Sequence, residues 1–341
     1  MNLIVPKKLC KGDTVGFVSP SAGLAPFAMH RIKKAKEMFE KLGYKVKNGR
    51  NTLKNNGYVS APAPQRAKDI NDMFRDKKVK MIIATIGGNH SNQLLKYLNF
   101  KIIKQNPKIF MGYSDNTVLH YAFQSQANLA TYYGPCVMTQ FGENPKILEY
   151  TLKYFNYAVS EDFQKKNYEI KSSSTWTEEF LDWFKQEDKK RPRKLIKHEG
   201  YSWLAKGRVE GKILGGAIPS INHLAGTKYW CDPREKIFFI DIPEGHNPAE
   251  GISLAEVDSY LADLDNLGLF DSINGLIIGR PYRYSQEQIQ NFKKIVLKYF
   301  RKRKCPILYN ANIGHTDPIA TVRLGSRAIL DSSRNSFRIV S

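Results

Sequence analysis

The chain has 341 residues, 42% hydrophobic and 12% aromatic, which excludes a disordered protein and leaves room for two domains with real cores. No apolar run approaches the roughly 20 residues of a membrane span, and Met1 to Lys8 holds no signal-peptide core, so a cytoplasmic protein without a membrane partner is expected. The net charge of +21 favours a small anionic ligand, while the absence of any helix-turn-helix, RNP or zinc-finger pattern argues against a nucleic-acid partner.

From about residue 10 to 140, strand and helix signals alternate. Thr14 to Val18 reads as a buried strand followed by the loop Ser19-Pro20-Ser21-Ala22-Gly23. Phe27 to Leu42 has helical spacing at Ile32, Ala35, Phe39 and Leu42; Gly43 stops it, and Tyr44 to Val46 is the next strand. Gln65 to Asp76 reads as a helix, Met81 to Thr85 as a strand running into Gly87-Gly88, and the segment through Leu94-Leu95 as a helix. The apolar run before Gly112-Tyr113-Ser114-Asp115 is a strand, and Asn116 to Gln126 a helix. Such repetition predicts an α/β fold: a parallel sheet with helices on both faces and functional groups at the strand ends, where Ser19, Gly87-Gly88 and Ser114 fall.

From about 155 to 205 the alternation breaks into a polar, charged stretch with some helix expected around Glu178 to Phe184. It reads as a linker or covering loop. Its cluster Lys189-Lys190-Arg191-Pro192-Arg193-Lys194 reads as a solvated face. Trp176 and Trp183 within it are candidates for stacking on a nucleobase or for buried anchoring. Strands follow at Gly211 to Gly216, Lys236 to Asp241 and Gly275 to Gly279. Ser253 and Glu256 form a capping-box signature for a helix with Val257, Tyr260, Leu261 and Leu264 inward, ended by Gly268. A second amphipathic helix, with Ile289, Phe292, Val296, Tyr299 and Phe300 apolar, closes on Arg301-Lys302-Arg303-Lys304, cations that suit its C-terminal dipole. The expected organisation is an N-terminal domain over 1–155, the linker over 156–205 and a C-terminal domain over 206–341.

A serine on a sharp strand-to-helix turn has its hydroxyl thrust outward, beside amides at the positive end of a helix. Ser114 is therefore a candidate nucleophile, with a plain N-cap as the competing reading. Among the histidines, His30 lies in a basic helix, His120 packs under its own helix, and His223 sits in an apolar segment as a core residue. His198 and His246 lie in polar loops, and His90 sits in the glycine-rich turn beside any substrate. His315, held in Gly314-His315-Thr316-Asp317-Pro318, is the strongest candidate base, although a structural turn would read the same way. Asp241 ends an apolar strand where a carboxylate is costly unless paired, and Glu244 competes for the same role. Gly87-Gly88-Asn89 offers unobstructed amides. Gly88 with the amide of Asp115 makes a candidate oxyanion hole, and Asn89 and His90 are candidate substrate contacts. Cys10, Cys136, Cys231 and Cys305 show no metal-ligand spacing and read as buried, reduced thiols. No metal and no cofactor is expected.

Several of these motifs occur together and in order. Lys11-Gly12-Asp13-Thr14-Val15-Gly16, Ser19-Pro20-Ser21, Gly87 to Leu95, Asn106 to Asp115 and Thr131-Tyr132-Tyr133-Gly134-Pro135 resemble the LD-carboxypeptidase family of serine peptidases. So do Gly211 to Gly216, Gly226-Thr227-Lys228-Tyr229 and Gly314 to Pro318, and the likeness is greatest to the family's microcin C immunity branch. The resemblance spans nearly the whole chain. It implies a flavodoxin-like N-terminal domain, a smaller β-rich, swivelling β/β/α-like C-terminal domain, a metal-free site at their junction and usually a homodimer. It maps the nucleophile onto Ser114, the base onto His315 and the acid onto Asp241, where the family normally has Glu.

Asp is one methylene shorter, about 1.5 Å less reach, so the strand must sit closer, a water must bridge, or the triad is weakened. Ala217 is a second departure, standing where relatives commonly carry Asn. The immunity branch cleaves a carboxamide in peptidyl- or aminoacyl-nucleotide mimics. The other branch removes the D-residue from muropeptide tetrapeptides during cell-wall recycling. The expected function is the first, with the muropeptide carboxypeptidase and a catalytically impaired ligand-binding relative as alternatives.

Overall fold

A computed structural model describes residues 3–161, 167–301 and 303–340. Residues 162–166 of the expected linker, Lys302 of the second basic cluster, and residues 1, 2 and 341 lie outside the described residues. The first sheet runs β1 (Thr14–Val18), β2 (Lys45–Asn48), β3 (Val79–Ala84), β4 (Ile109–Gly112) and β5 (Tyr132–Tyr133), all parallel, in the order β5-β4-β3-β1-β2. Its central strands are apolar almost throughout because both faces are covered. Val15, Phe17, Met81, Ile83 and Met111 pack towards α1 (Met29–Lys41). The opposite face, with Ile82 and Phe110, packs on α2 (Ala63–Arg75), α3 (Phe100–Gln105) and α4 (Thr117–Ala127). A further helix, α5 (Glu149–Val159), closes the first face through Phe155.

The chain then enters the segment read as a linker. Two short strands, β6 (Tyr168–Glu169) and β9 (Ser202–Ala205), join the second sheet at its edges. Between them β7 (Thr175–Trp176) pairs with β8 (Ile196–Lys197), and the chain between those two forms the cover. The second sheet adds β10 (Arg208–Ala217), β11 (Lys236–Asp241), β12 (Gly275–Gly279) and β13 (Ile307–Ala311), parallel to one another. A short β14 (Val322–Arg323) crosses back to pair antiparallel with β5, and β15 (Arg327–Asp331) and β16 (Ser336–Val340) complete the sheet. The architecture is thus mixed α/β, with a parallel sheet in the N-terminal part and a second, β-rich sheet in the C-terminal part. Helix α6 (Ile218–Asn222) follows β10. Capping boxes start α7 (Leu254–Asn266), at Ser253 and Glu256, and α9 (Gln286–Phe300), with the short α8 (Leu269–Ser272) between them.

One close junction of the two halves lies at the end of β10. The Ala217 N–H donates to Thr117 Oγ1 at 3.0 Å. A Cβ on Gly216 would stand 2.3 Å from Thr117 Cγ2, so only glycine lets the end of β10 reach the start of α4.

Three local expectations fail. The segment at Leu94-Leu95 is a 3-10 turn, Ser91–Tyr97, because Asn99 already caps the next helix through its side chain. No helix forms over Glu178 to Phe184. Instead the Asp182 carboxylate accepts the amides of Phe184 and Lys185 in a turn, which competes with helical hydrogen bonding. His223 is exposed, since it lies on the outer side at the end of α6, while Ile218 and Ile221 supply the buried contacts. Among the described residues, no helix is long and apolar enough to cross a membrane.

Candidate active site

Ser114 closes β4 with φ +63°, a left-handed torsion that costs a serine about 1–2 kcal/mol. Its surroundings hold it there. The Ser114 N–H donates to Tyr133 Oη at 3.1 Å, and Thr117 Oγ1 donates to the Ser114 carbonyl at 2.7 Å. The Gly87-Gly88 turn lies directly against it: a Cβ on Gly87 would sit 2.8 Å from Ser114 Cβ and 2.9 Å from its Oγ. Glycine at 87 is what allows the turn's amides to approach the hydroxyl.

Asp241, at the end of β11, is fully buried. Tyr133 Oη donates to its Oδ2 at 2.6 Å, and the His315 backbone N–H donates to Oδ1 at 3.2 Å. His315 Nδ1 stands 2.8 Å from Oδ2; the contact has ion-pair distance but is poorly aligned as a hydrogen bond. Gly314 makes this approach possible. It has φ +106°, and a Cβ there would lie 1.9 Å from Asp241 Oδ1. The short Asp241 side chain is therefore reached by bringing the histidine loop onto it. Burial, and then the Asp241 charge, push the Tyr133 phenol well above its usual range, so it stays protonated, donates to Asp241 and accepts the Ser114 amide.

The other ring nitrogen, His315 Nε2, is 3.5 Å from Glu244 Oε2. Burial acts to lower the His315 pKa, but the charges of Asp241 and Glu244 outweigh it and raise it to about 9. Tyr113 packs edge-on against the imidazole at 5.0 Å. Asp317, two residues on, locks the loop. It accepts from Gln140 Nε2 at 3.0 Å and Arg193 Nη2 at 2.7 Å, and its backbone pairs with Thr177 of the cover.

Ser114 and His315 open onto one cavity of about 380 Å³ between the two sheets. Among the described residues no hydrogen bond joins Ser114 Oγ to His315; such bonds often tighten only when substrate is bound. Gly88, Glu244 and Trp183 line the same cavity, whereas Asn89, His90 and Trp176 are not among its lining. His90 packs on Tyr58, its ring centroid 4.5 Å away, and Trp176 lies under the Arg280 guanidinium at 4.3 Å. The Asp115 carboxylate accepts the amides of His90 and Ser91, which fixes the turn after Gly88.

The cover supplies an aromatic wall of Phe180, Trp183 and Phe184. It is pinned by buried ion pairs: Asp188 to Arg31 at 2.6 Å and Arg193 to Glu143 at 2.8 Å. Arg31 also lies over the Trp183 ring at 4.2 Å. Arg193 is accordingly half-buried and paired, not part of a solvated basic face. His120 is buried, bonded to the Gly112 carbonyl at 2.9 Å, and burial lowers its pKa to about 4. Cys136 and Cys305 are buried, Cys231 is partly so, and Cys10 is exposed; none is in a disulfide. Among the described residues no group of His, Cys, Asp or Glu is arranged to hold a metal ion. Tyr133 and Arg193 are structurally decisive residues whose roles sequence reasoning missed. Only the Tyr132-Tyr133-Gly134-Pro135 motif hinted at the first.

Residues 15–134 match the family model of the LD-carboxypeptidase N-terminal domain, and residues 210–330 that of its C-terminal domain. The chain is 28% identical to the Escherichia coli microcin C7 self-immunity protein MccF, over 97% of this chain and 94% of that one. The structure of MccF superposes with a TM-score of 0.90, covering 99% of this chain and 98% of that one, and MccF has also been solved with aspartyl sulfamoyl adenosine. An MccF-like protein from Bacillus anthracis is 33% identical over 99% of both chains, with a TM-score of 0.88. A Bacillus subtilis protein named "Probable murein peptide carboxypeptidase" is 27% identical over 97% of this chain and 92% of its own length.

Proposed function

The chain belongs to the LD-carboxypeptidase family, a family of serine hydrolases, and from that premise we propose that it cleaves the carboxamide of aminoacyl- or peptidyl-nucleotide compounds. Ser114 Oγ attacks the acyl carbonyl while His315 Nε2 takes its proton. Asp241 holds the imidazole and balances its charge, and Tyr133 in turn holds Asp241. The amides of Gly88 and Asp115 receive the oxyanion. Collapse of the tetrahedral intermediate breaks the C–N bond. The His315 proton goes to the leaving nitrogen, and water then releases the acyl group from Ser114 by the same relay.

One observation carries the choice of substrate: the cavity that holds Ser114 and His315 is walled on the cover side by Phe180, Trp183 and Phe184. Phe180 and Phe184 are 48% and 51% exposed, and together with Trp183 they form an apolar patch facing the cavity, of the kind that marks a ligand groove. Arg31 covers one side of the Trp183 ring, an arrangement that stiffens it as a stacking platform. A nucleobase suits such a wall. A carboxypeptidase must also bind a free terminal carboxylate, and the two arginines in the lining, Arg31 and Arg193, already hold Asp188, Glu143 and Asp317.

The test offers the protein an aminoacyl-sulfamoyl adenosine and an L,D-tetrapeptide side by side and identifies products by mass spectrometry. Free amino acid and sulfamoyl adenosine are expected. Release of a terminal D-residue, with the nucleotide compound untouched, would move the protein to the muropeptide reading.

A further inference from the structure

The chain is strongly basic, yet its candidate catalytic cavity is lined by five carboxylates, Glu143, Glu178, Glu179, Glu244 and Asp317, against two arginines, Arg31 and Arg193. Both arginines are engaged: Arg31 with Asp188 at 2.6 Å, Arg193 with Glu143 at 2.8 Å and Asp317 at 2.7 Å. Glu179 pairs with Arg191 at 2.7 Å. Glu178 accepts the Arg283 amide at 2.7 Å, with the charges of Arg283 and Arg280 nearby. Glu244 differs from all of these. Its side chain is 42% exposed, and its one ion-pair partner among the described residues is His315 Nε2 at 3.5 Å.

That partner is the nitrogen that must be unprotonated to accept the Ser114 proton. The imidazole is only 6% exposed, and Nε2 makes no hydrogen bond among the described residues. Once His315 is neutral and substrate fills the cavity, Glu244 becomes a desolvated carboxylate with no counter-charge. Such a group is strongly unfavourable unless the ligand brings a cation. Because Glu244 lies within 3.5 Å of the atom that must face the scissile amide, that cation sits on the residue whose carbonyl is attacked.

Resting on the proposed hydrolysis at Ser114, we infer that Glu244 selects substrates whose acyl residue carries a primary ammonium, and that this ammonium replaces His315 as the partner of the carboxylate. The ammonium has two possible sources, the α-amino group and a side-chain amine, and both present the same chemistry to Glu244.

Three ligands separate them: norleucyl-, lysyl- and Nα-acetylnorleucyl-sulfamoyl adenosine. Binding is measured by calorimetry on Ser114→Ala, which holds ligand without turning it over, and hydrolysis on the unmodified protein. A ligand with the recognised ammonium should bind about tenfold or more tightly than its counterpart without it, as for a hydrogen bond to a charged group. Lysyl over norleucyl identifies the side-chain amine; norleucyl over its acetylated form identifies the α-amine. Adding Glu244→Gln should erase the preference, and Glu244→Asp should keep it, with melting curves checking that both variants fold. Equal or absent binding of all three ligands, or a preference that survives Glu244→Gln, overturns the inference. An ammonium preference in binding without hydrolysis by the unmodified protein supports the inference and overturns the amidase reading instead.

Discussion

Replacing Gly314 by Ala probes the contact on which the site geometry depends. Gly314 has φ +106°, and an added Cβ would stand 1.9 Å from Asp241 Oδ1, where real Cβ contacts stay above 3.0 Å. The torsion alone costs alanine about 1–2 kcal/mol. The collision adds to this, because Asp241 is buried and cannot swing aside, so the histidine loop must retreat by about 1 Å. Gly12 is the internal control. It has φ +91° with nothing within 4 Å of an added Cβ, so Gly12→Ala carries the torsional cost without the collision. Both variants should be less stable by about 1–2 kcal/mol, Gly314→Ala by up to about 1–3 kcal/mol more from overpacking. Only Gly314→Ala should lose turnover, by about 10²-fold or more, the cost of misplacing a catalytic group by that distance. The assay is hydrolysis of an aminoacyl-sulfamoyl adenosine, with thermal unfolding on both variants. Equal turnover in the two variants would refute the reasoning that Gly314 exists to seat His315 on Asp241.

Further outcomes follow from the electrostatics and the cover. His315 must be neutral to act as base, and its pKa is raised to about 9, so kcat/KM should climb with pH well above the usual histidine range; Glu244→Gln should move that limb down. Stability should run the other way: the contribution of protonated His315 is complete below the ordinary value of 6.5 and disappears as pH rises through about 9, which melting temperatures against pH will show. Trp183→Ala should weaken adenylate-like ligands by about 1–3 kcal/mol in calorimetry, the range for base–aromatic stacking. Trp176→Ala should leave that affinity nearly unchanged and lower the melting temperature, because Trp176 meets Arg280 and not the cavity.

Much of the architecture was legible because it rests on local signals. The apolar runs of β1 and β11, the stop at Gly43 and the Ser253–Glu256 capping box each announce themselves in a few adjacent residues. Ser114 and His315 were likewise marked by their turns. What stayed hidden depends on distant partners. Tyr133 sits in a two-residue strand, and its bond to Asp241 spans 108 positions. The cover is held by Asp188 and Arg193 through pairs with Arg31, Glu143 and Asp317, not by any periodic apolar face, so neither its shape nor the pairing of Arg193 can be read from spacing. The net charge says nothing of local distribution for the same reason: the +21 is an average over the chain, while the cavity gathers acidic residues from four separate segments.

The central claim is that Ser114 and His315 act as one unit. Steady-state turnover of Ser114→Ala, His315→Ala and the double variant on an aminoacyl-sulfamoyl adenosine tests it directly. Each single change should lower kcat by roughly 10⁴ to 10⁶, and the double change should cost little more than either. Losses that multiply in the double variant, or a folded Ser114→Ala protein that still turns over substrate at a substantial rate, would contradict the account.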